Sequence, residues 1–190
     1  MTAKEYYASQ ELLWDDDSAD SQLARHVAAG ISMPRNGGSV LDIGCGTGGM
    51  FSELLENGAY EILGVDSSEG MISMASDGLP DARISLVCAD FLDLEDSGFD
   101  LALAFNAYQL FHDPEAFVKK AHSVLNTGGR LTAACAFGRA RTNAISRVMP
   151  EGVSRQLLPP WRELKYWSEH FNVDCMCDNE QLFLLSGVAL

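Results

Sequence analysis

Long apolar runs, basic charge and a disulfide pattern are what this chain lacks. Nowhere among its 190 residues do eighteen consecutive apolar residues occur, so no membrane-spanning segment is expected. Thirteen lysines and arginines stand against 27 acids, a formal net charge of −14. Nucleic-acid binding draws its affinity from phosphate neutralisation, which an acidic surface cannot supply, so a polyanion is excluded as the main partner. Five cysteines (Cys45, Cys88, Cys135, Cys175 and Cys177) are an odd number without framework spacing, which points to a reducing compartment. Cys175 and Cys177 alternate onto one strand face with no histidine or further cysteine at ligand spacing, so no metal site is expected. Met1-Thr2-Ala3-Lys4-Glu5-Tyr6-Tyr7 lacks the basic-then-apolar order of a signal peptide. The expectation is a soluble, cytoplasmic protein without internal repeats.

What is present begins with Val40-Leu41-Asp42-Ile43-Gly44-Cys45-Gly46-Thr47-Gly48-Gly49. An apolar strand runs into a glycine-rich turn, and a helix pattern follows. Glycines at alternate positions let the backbone approach a ligand closely, and the helix behind them directs free N–H groups at it. Asp66 ends the next strand run, Ile62-Leu63-Gly64-Val65-Asp66, about twenty residues on, where a carboxylate can accept both hydroxyls of a ribose. The pair reads as a nucleoside-cofactor site on an α/β sheet.

Apolar residues make up 47% of the chain, enough for one domain with a proper core over 1–190. Residues 4–14 read as a short amphipathic helix with Tyr6, Tyr7 and Trp14, and Asp15-Asp16-Asp17-Ser18 reads as a polar break and N-cap for a second helix over about 18–31. Strand 40–42, helix 47–57, strand 61–66, helix 69–76, strand 83–88, strand 100–105, helix 114–125 and strand 130–136 then alternate. That rhythm implies right-handed crossovers and a parallel sheet. Pro159-Pro160 opens a last helix. Two closing strand runs, 171–177 and 181–188, are joined by Asp178-Asn179-Glu180 as a hairpin, which adds an antiparallel strand.

Gly44, Gly46 and Gly49 also match G-x-G-x-x-G, so an NAD-dependent oxidoreductase has to be weighed. Against it, Asp42 places an anion directly before the turn, where a pyrophosphate seeks positive potential. The D-x-G-x-G form followed by an acid after strand two resembles the first motif of class I S-adenosylmethionine-dependent methyltransferases. Val87-Cys88-Ala89-Asp90-Phe91, Phe99 to Asn106 and Leu125-Asn126-Thr127-Gly128-Gly129-Arg130-Leu131 resemble that family's third, fourth and fifth strands, in order over about half the chain.

The resemblance implies a Rossmann-like, seven-stranded, mostly parallel sheet with helices on both faces and a C-terminal antiparallel hairpin strand. It implies S-adenosylmethionine as cofactor, S-adenosylhomocysteine as product, and methyl transfer to a small molecule. By the same resemblance Gly44, Gly46 and Gly48 pack under the methionine portion, with Cys45 in the same turn. Asp42 sits beneath, holding the loop amides or a water at the cofactor ammonium. Asp66 takes the ribose, with Ser67 beside it, and Met71 covers the adenine. Asp90 and the Phe91 amide reach the adenine edge, and Asn106 offers its backbone carbonyl near the ammonium. Met71 as plain core and Asp90 as a turn cap stay open as alternatives.

Candidate general bases lie after strand four, at His112, Asp113 and Tyr108, with His112 and Tyr108 taken as the catalytic pair. His26, His122 and His170 read as surface or packing residues. The chain also resembles a small bacterial, quinone-methylase-like subgroup. Asn106, Tyr108, Phe111, Asp113, Arg139, Asn143, Leu158 and Pro159 keep its outline, but Leu110, Cys135 and Ser146 stand where its histidines are expected. That loss supports the alternative of a non-catalytic binding module for the cofactor or its product.

Charge is unevenly placed: residues 1–113 hold 20 acids and 4 bases, while Arg139 to Lys165 holds six bases (Arg139, Arg141, Arg147, Arg155, Arg162, Lys165). A solvated helical face is one reading. The other is a positive lip over the pocket of an anionic substrate. Residues 1–36 are expected to form a helical lid and 137–170 a substrate-pocket segment.

Overall fold

Alternating apolar positions along strands flanked by amphipathic helices leave the chain one economical arrangement, a sheet covered on both faces. The computed structural model describes residues 1, 3–8, 18–77 and 81–190. Its elements are α1 (Ala3–Ala8), α2 (Ala19–Ser32), β1 (Gly38–Ile43), α3 (Phe51–Glu56), β2 (Ala59–Asp66), α4 (Glu69–Asp77) and β3 (Ile84–Cys88). After them come β4 (Phe99–Phe105), α5 (Pro114–Val124), β5 (Leu125–Cys135), α6 (Arg139–Val148), α7 (Pro160–Trp167), β6 (Phe171–Asp178) and β7 (Phe183–Ala189). Short 3₁₀ turns at Phe91–Asp93 and Tyr108–Leu110 follow β3 and β4.

The seven strands lie in the order β3-β2-β1-β4-β5-β7-β6. All neighbours are parallel except the pairs made by β7, which runs antiparallel to both β5 and β6. This is the Rossmann-like class I methyltransferase arrangement with its C-terminal antiparallel hairpin. Chain order reverses between β1 and β4, so the loops leaving those two strands diverge and open a crevice at their carboxyl ends.

Alternation fills both faces. Val40, Leu101 and Leu103 pack with Phe51 and Leu54 of α3 on one side, and Leu41, Ala102 and Ala104 pack with Phe117 and Val118 of α5 on the other. Small residues let α2 lie close on the first face, Ala24 and Ala28 meeting Ala134, Ala136 and Leu184. Among the described residues no helix is long and apolar enough to cross a membrane.

Three boundaries differ from the sequence reading. Regular helix begins at Phe51, not near 47, because Gly46 and Gly48 hold φ of 53° and 89°, outside right-handed helix. Strand β5 starts at Leu125, five residues early, with a register shift against β4. Helix α6, for which the pattern set no bounds, begins at Arg139. The expected helix over 4–14 is described only as α1, and Trp14 lies outside the described residues.

Candidate functional site

A cleft of about 780 Å³ opens at the carboxyl ends of β1, β2, β3 and β4. Of the residues read as cofactor-binding, it brings together Asp42, Gly44, Cys45, Gly46, Asp66, Ser67, Met71, Asp90, Phe91 and Asn106, with His112 at the same cleft.

The turn after β1 is built by hydrogen bonding across to β2. The Gly44 and Cys45 amides both donate to the Val65 carbonyl, at 2.8 and 3.1 Å. The Gly46 N–H donates to Asp66 Oδ2 at 3.0 Å, and the Ser68 N–H donates to Asp66 Oδ1 at 2.9 Å. Burial holds the Asp66 carboxyl above its usual range, and these amides offset only part of that rise. At Gly44, with φ of 69°, a Cβ would stand 2.7 Å from that of Ala107, so only glycine lets the β1 and β4 loops meet there. A Cβ on Gly46 meets nothing within 4 Å.

Asp42 is nearly inaccessible (1% exposed), and its Oδ2 has no hydrogen-bond partner. Burial first, and the charge of Asp66 second, push its carboxyl up to about 7. Of the two roles the sequence reading left to Asp42, the loop amides or a water at an ammonium, the structure gives the Gly46 amide to Asp66 instead, because the end of β2 reaches it. The Cys45 thiol is likewise held up by burial and the two neighbouring carboxylates, which leaves it inert as a nucleophile.

Asp90 is exposed and caps the 3₁₀ turn, accepting from the Leu92 N–H at 2.9 Å. The Phe91 ring turns into the core, edge-on to Phe111 with ring centroids 5.9 Å apart. Met71 is 3% exposed and lines the cleft from α4. Asn106 is the one described non-glycine residue with positive φ, 55°. Its Oδ1 accepts from the Ala136 N–H at 2.8 Å, and its backbone carbonyl, expected near an ammonium, accepts from Gln109 Nε2 at 2.6 Å.

Three further expectations are corrected. Gly48 does not line the cleft; its missing Cβ makes room for the Phe51 ring, which would come within 2.4 Å. Tyr108 is not at the mouth. It is fully buried, donating its hydroxyl to Glu163 Oε2 at 2.9 Å and accepting from Trp167 Nε1 at 3.2 Å, and burial with the adjacent carboxylate raises its phenol well above normal. None of the six bases between Arg139 and Lys165 lines the cleft. Arg139 pairs with Asp178, Arg141 lies over Phe137, Arg155 pairs with Glu163, and Lys165 lies over Tyr166.

Sequence reasoning missed Lys4, Ser21 and Arg25, which line the cleft from α1 and α2, and Gly152 on the opposite rim. One signal was available. The first 113 residues contain just four bases, Lys4, Arg25, Arg35 and Arg83, and two of the four face this cavity. Helix α1 packs against α4, while the Met1 carbonyl comes within 3.1 Å of where a Cβ on Gly152 would stand. The N-terminal segment therefore reaches both rims. His112 is exposed, and its Nε2 meets the Gly152 carbonyl at 3.0 Å. Asp113 caps α5 through the Ala116 N–H. Among the described residues no three metal-ligating side chains gather.

Residues 40–129 match the family model described as "Methyltransferase domain". The malonyl-[acyl-carrier protein] O-methyltransferase of Priestia megaterium is 33% identical over 95 residues, covering 49% of this chain and 35% of that protein. The ubiquinone biosynthesis O-methyltransferase of Coxiella burnetii is 30% identical over 99 residues, covering 50% of this chain and 42% of that protein. The chain thus matches less than half the length of these curated relatives. In fold it is similar to the N-methyltransferase NodS of Bradyrhizobium japonicum, solved with S-adenosyl-L-homocysteine. That likeness has a TM-score of 0.78 at 16% identity, over 100% of this chain and 99% of that one.

Proposed function

We propose that the chain is a class I S-adenosylmethionine-dependent methyltransferase, that this cleft binds S-adenosylmethionine and that the protein methylates a small-molecule acceptor; the methyltransferase-domain match over residues 40–129 supports the reading. The observation that carries the reading is Asp42 Oδ2, a buried carboxylate oxygen without a partner at the floor of the glycine turn. Leaving such an atom unpaired costs free energy, and a cationic ligand group removes the cost. A pyrophosphate would increase it. The open space over Gly46 leaves the backbone accessible to that ligand.

In the proposed roles, Asp42 faces the ammonium and Asp66 offers its carboxylate to the ribose hydroxyls. Met71 supports one adenine face, and Asp90 and Phe91 meet its edge. Held by these residues, S-adenosylmethionine would supply a sulfonium-bound methyl carbon as electrophile to the acceptor's lone pair, with the neutral sulfide as leaving group. His112 takes the proton of an O–H or N–H acceptor. A carbonyl accepts only, so the nitrogen facing Gly152 carries hydrogen and Nδ1 of the neutral ring holds the lone pair.

The acceptor is an anionic small molecule. Support comes from Lys4 and Arg25, two cations on the cleft wall of a strongly acidic chain. Of the expected 1–36 lid, the described α1 and α2 exclude water from the cleft, supported by the reach of the N-terminal segment from α4 to Gly152; residues 2 and 9–17 lie outside the described residues. Incubation with methyl-labelled S-adenosylmethionine and a panel of small phenols, carboxylates and phosphates tests the reaction. Label on an anionic acceptor, lost in His112→Ala, is the expected result. Tight cofactor binding with no labelled product from any acceptor would favour the binding module instead.

A further inference from the structure

We infer that Arg155 and Glu163, neither of which lines the cleft, are positioning residues that set the ring orientation and tautomer of His112. The inference rests on the reading that His112 takes the acceptor's proton. Its geometry is independent of that reading.

His112 is exposed, and a free imidazole on a loop would sample both tautomers and several rotamers. What holds it is the Gly152 carbonyl, in the segment between α6 and α7. Gly152 has φ of 87°, a conformation that favours glycine, so the carbonyl direction is built into the backbone. Three residues on, Arg155 ties that segment to the one bearing His112. Its backbone N–H donates to the Gln109 carbonyl at 2.8 Å. Its Nε donates to the Phe111 carbonyl at 3.0 Å, which is the peptide leading directly into His112. The backbone bond holds the two segments together, and the side-chain bond fixes the His112 backbone relative to the carbonyl that its ring must meet.

The guanidinium is itself fixed. Nη1 and Nη2 donate to Glu163 Oε1 and Oε2 at 2.9 and 3.3 Å. Glu163, 0% exposed, also accepts from the Leu158 N–H at 2.8 Å and from the Tyr108 hydroxyl. The guanidinium carbon lies 4.5 Å over the Tyr108 ring. A buried ion pair adds little net stability over a well-packed apolar pair, because desolvation offsets the attraction. Its directional bonds, five N–H positions in a rigid fork, specify geometry in a way that apolar contacts do not.

Nitrogen-15 NMR of the imidazole rings tests this without an acceptor. In the wild-type protein above neutral pH, His112 is expected as a single Nε2–H tautomer. Arg155→Lys keeps the charge but cannot form the fork together with the bond to the Phe111 carbonyl, and is expected to show both tautomers. Glu163→Gln is expected to show a smaller shift the same way, and carries the test if Arg155→Lys does not fold. Affinity for S-adenosylhomocysteine should stay within roughly twofold in either variant, since neither residue lines the cleft. A mixed tautomer in the wild-type protein overturns the inference, and so does a single Nε2–H tautomer in the folded variants. Failure of every form to bind S-adenosylhomocysteine would overturn the proposed function separately and leave the tautomer result standing.

Discussion

The Gly46 amide donates to Asp66 Oδ2 at 3.0 Å, tying the glycine turn after β1 to the end of β2. With the second oxygen on the Ser68 amide, one carboxylate shapes both loops that face the cleft. Asp66→Ala is expected to lower unfolding free energy by about 2 kcal/mol, the cost of two amides losing a charged acceptor. Asp66→Asn retains one acceptor oxygen and should lose about half as much. Urea unfolding monitored by tryptophan fluorescence checks the order.

Gly46 and Gly48 are expected to separate binding from folding. Gly46 faces open space, so Gly46→Ala costs about 1 kcal/mol for its left-handed φ, while its methyl group enters the cleft and weakens cofactor binding roughly tenfold or more. Gly48→Ala drives a methyl group into the Phe51 ring, for a loss of about 3 kcal/mol as an overpacked core site. Thermal unfolding and cofactor titration of both variants give the comparison.

The raised carboxyl of Asp42 gives the site a pH dependence. Its native value is about 7, against about 3.9 in an unfolded chain. The native state therefore holds this proton more tightly, and its contribution to stability falls as pH rises from about 4 to about 7, then levels. Without cofactor, Asp42→Asn should gain stability relative to wild type across that window. A cationic ligand group needs the ionised form. S-adenosylmethionine should thus bind wild type about twentyfold more tightly at pH 7.5 than at pH 5.5. The Asn variant should bind weakly with little pH dependence. Calorimetry at the two pH values reads both.

Asn106 is held at positive φ by the bond from the Ala136 amide to its side chain. Asn106→Asp keeps the acceptor and should be nearly neutral. Asn106→Gly relieves the backbone but leaves a buried amide unpaired, at about 1 kcal/mol. Asn106→Ala adds the left-handed penalty, for about 2 kcal/mol in all. Urea midpoints test that ranking.

The cofactor half of the cleft was legible because its determinants are local. A carboxylate before alternate glycines and a carboxylate at the next strand end fall at fixed places along β1 and β2, whatever the rest of the chain does. The opposite wall was not legible. Lys4 and Arg25 reach the cleft because α1 lies on α4 and α2 on β4 and β5, contacts that no periodicity encodes. Tyr108 read as a mouth residue because its 3₁₀ turn is too short to show a buried face; Glu163 and Trp167, more than fifty residues away, draw it inward. The sequence left the bases of 139–165 open between a solvated face and a lip for the same reason, since their partners Asp178, Phe137 and Glu163 meet them only in the folded chain.

Calorimetric titration with S-adenosylmethionine, S-adenosylhomocysteine and NADH tests the central claim most directly, with Asp66→Ala as the control. Binding of the first two at micromolar levels, lost in the variant and absent for NADH, is the expected result. Silence with both sulfur compounds, or a preference for NADH, would contradict the account.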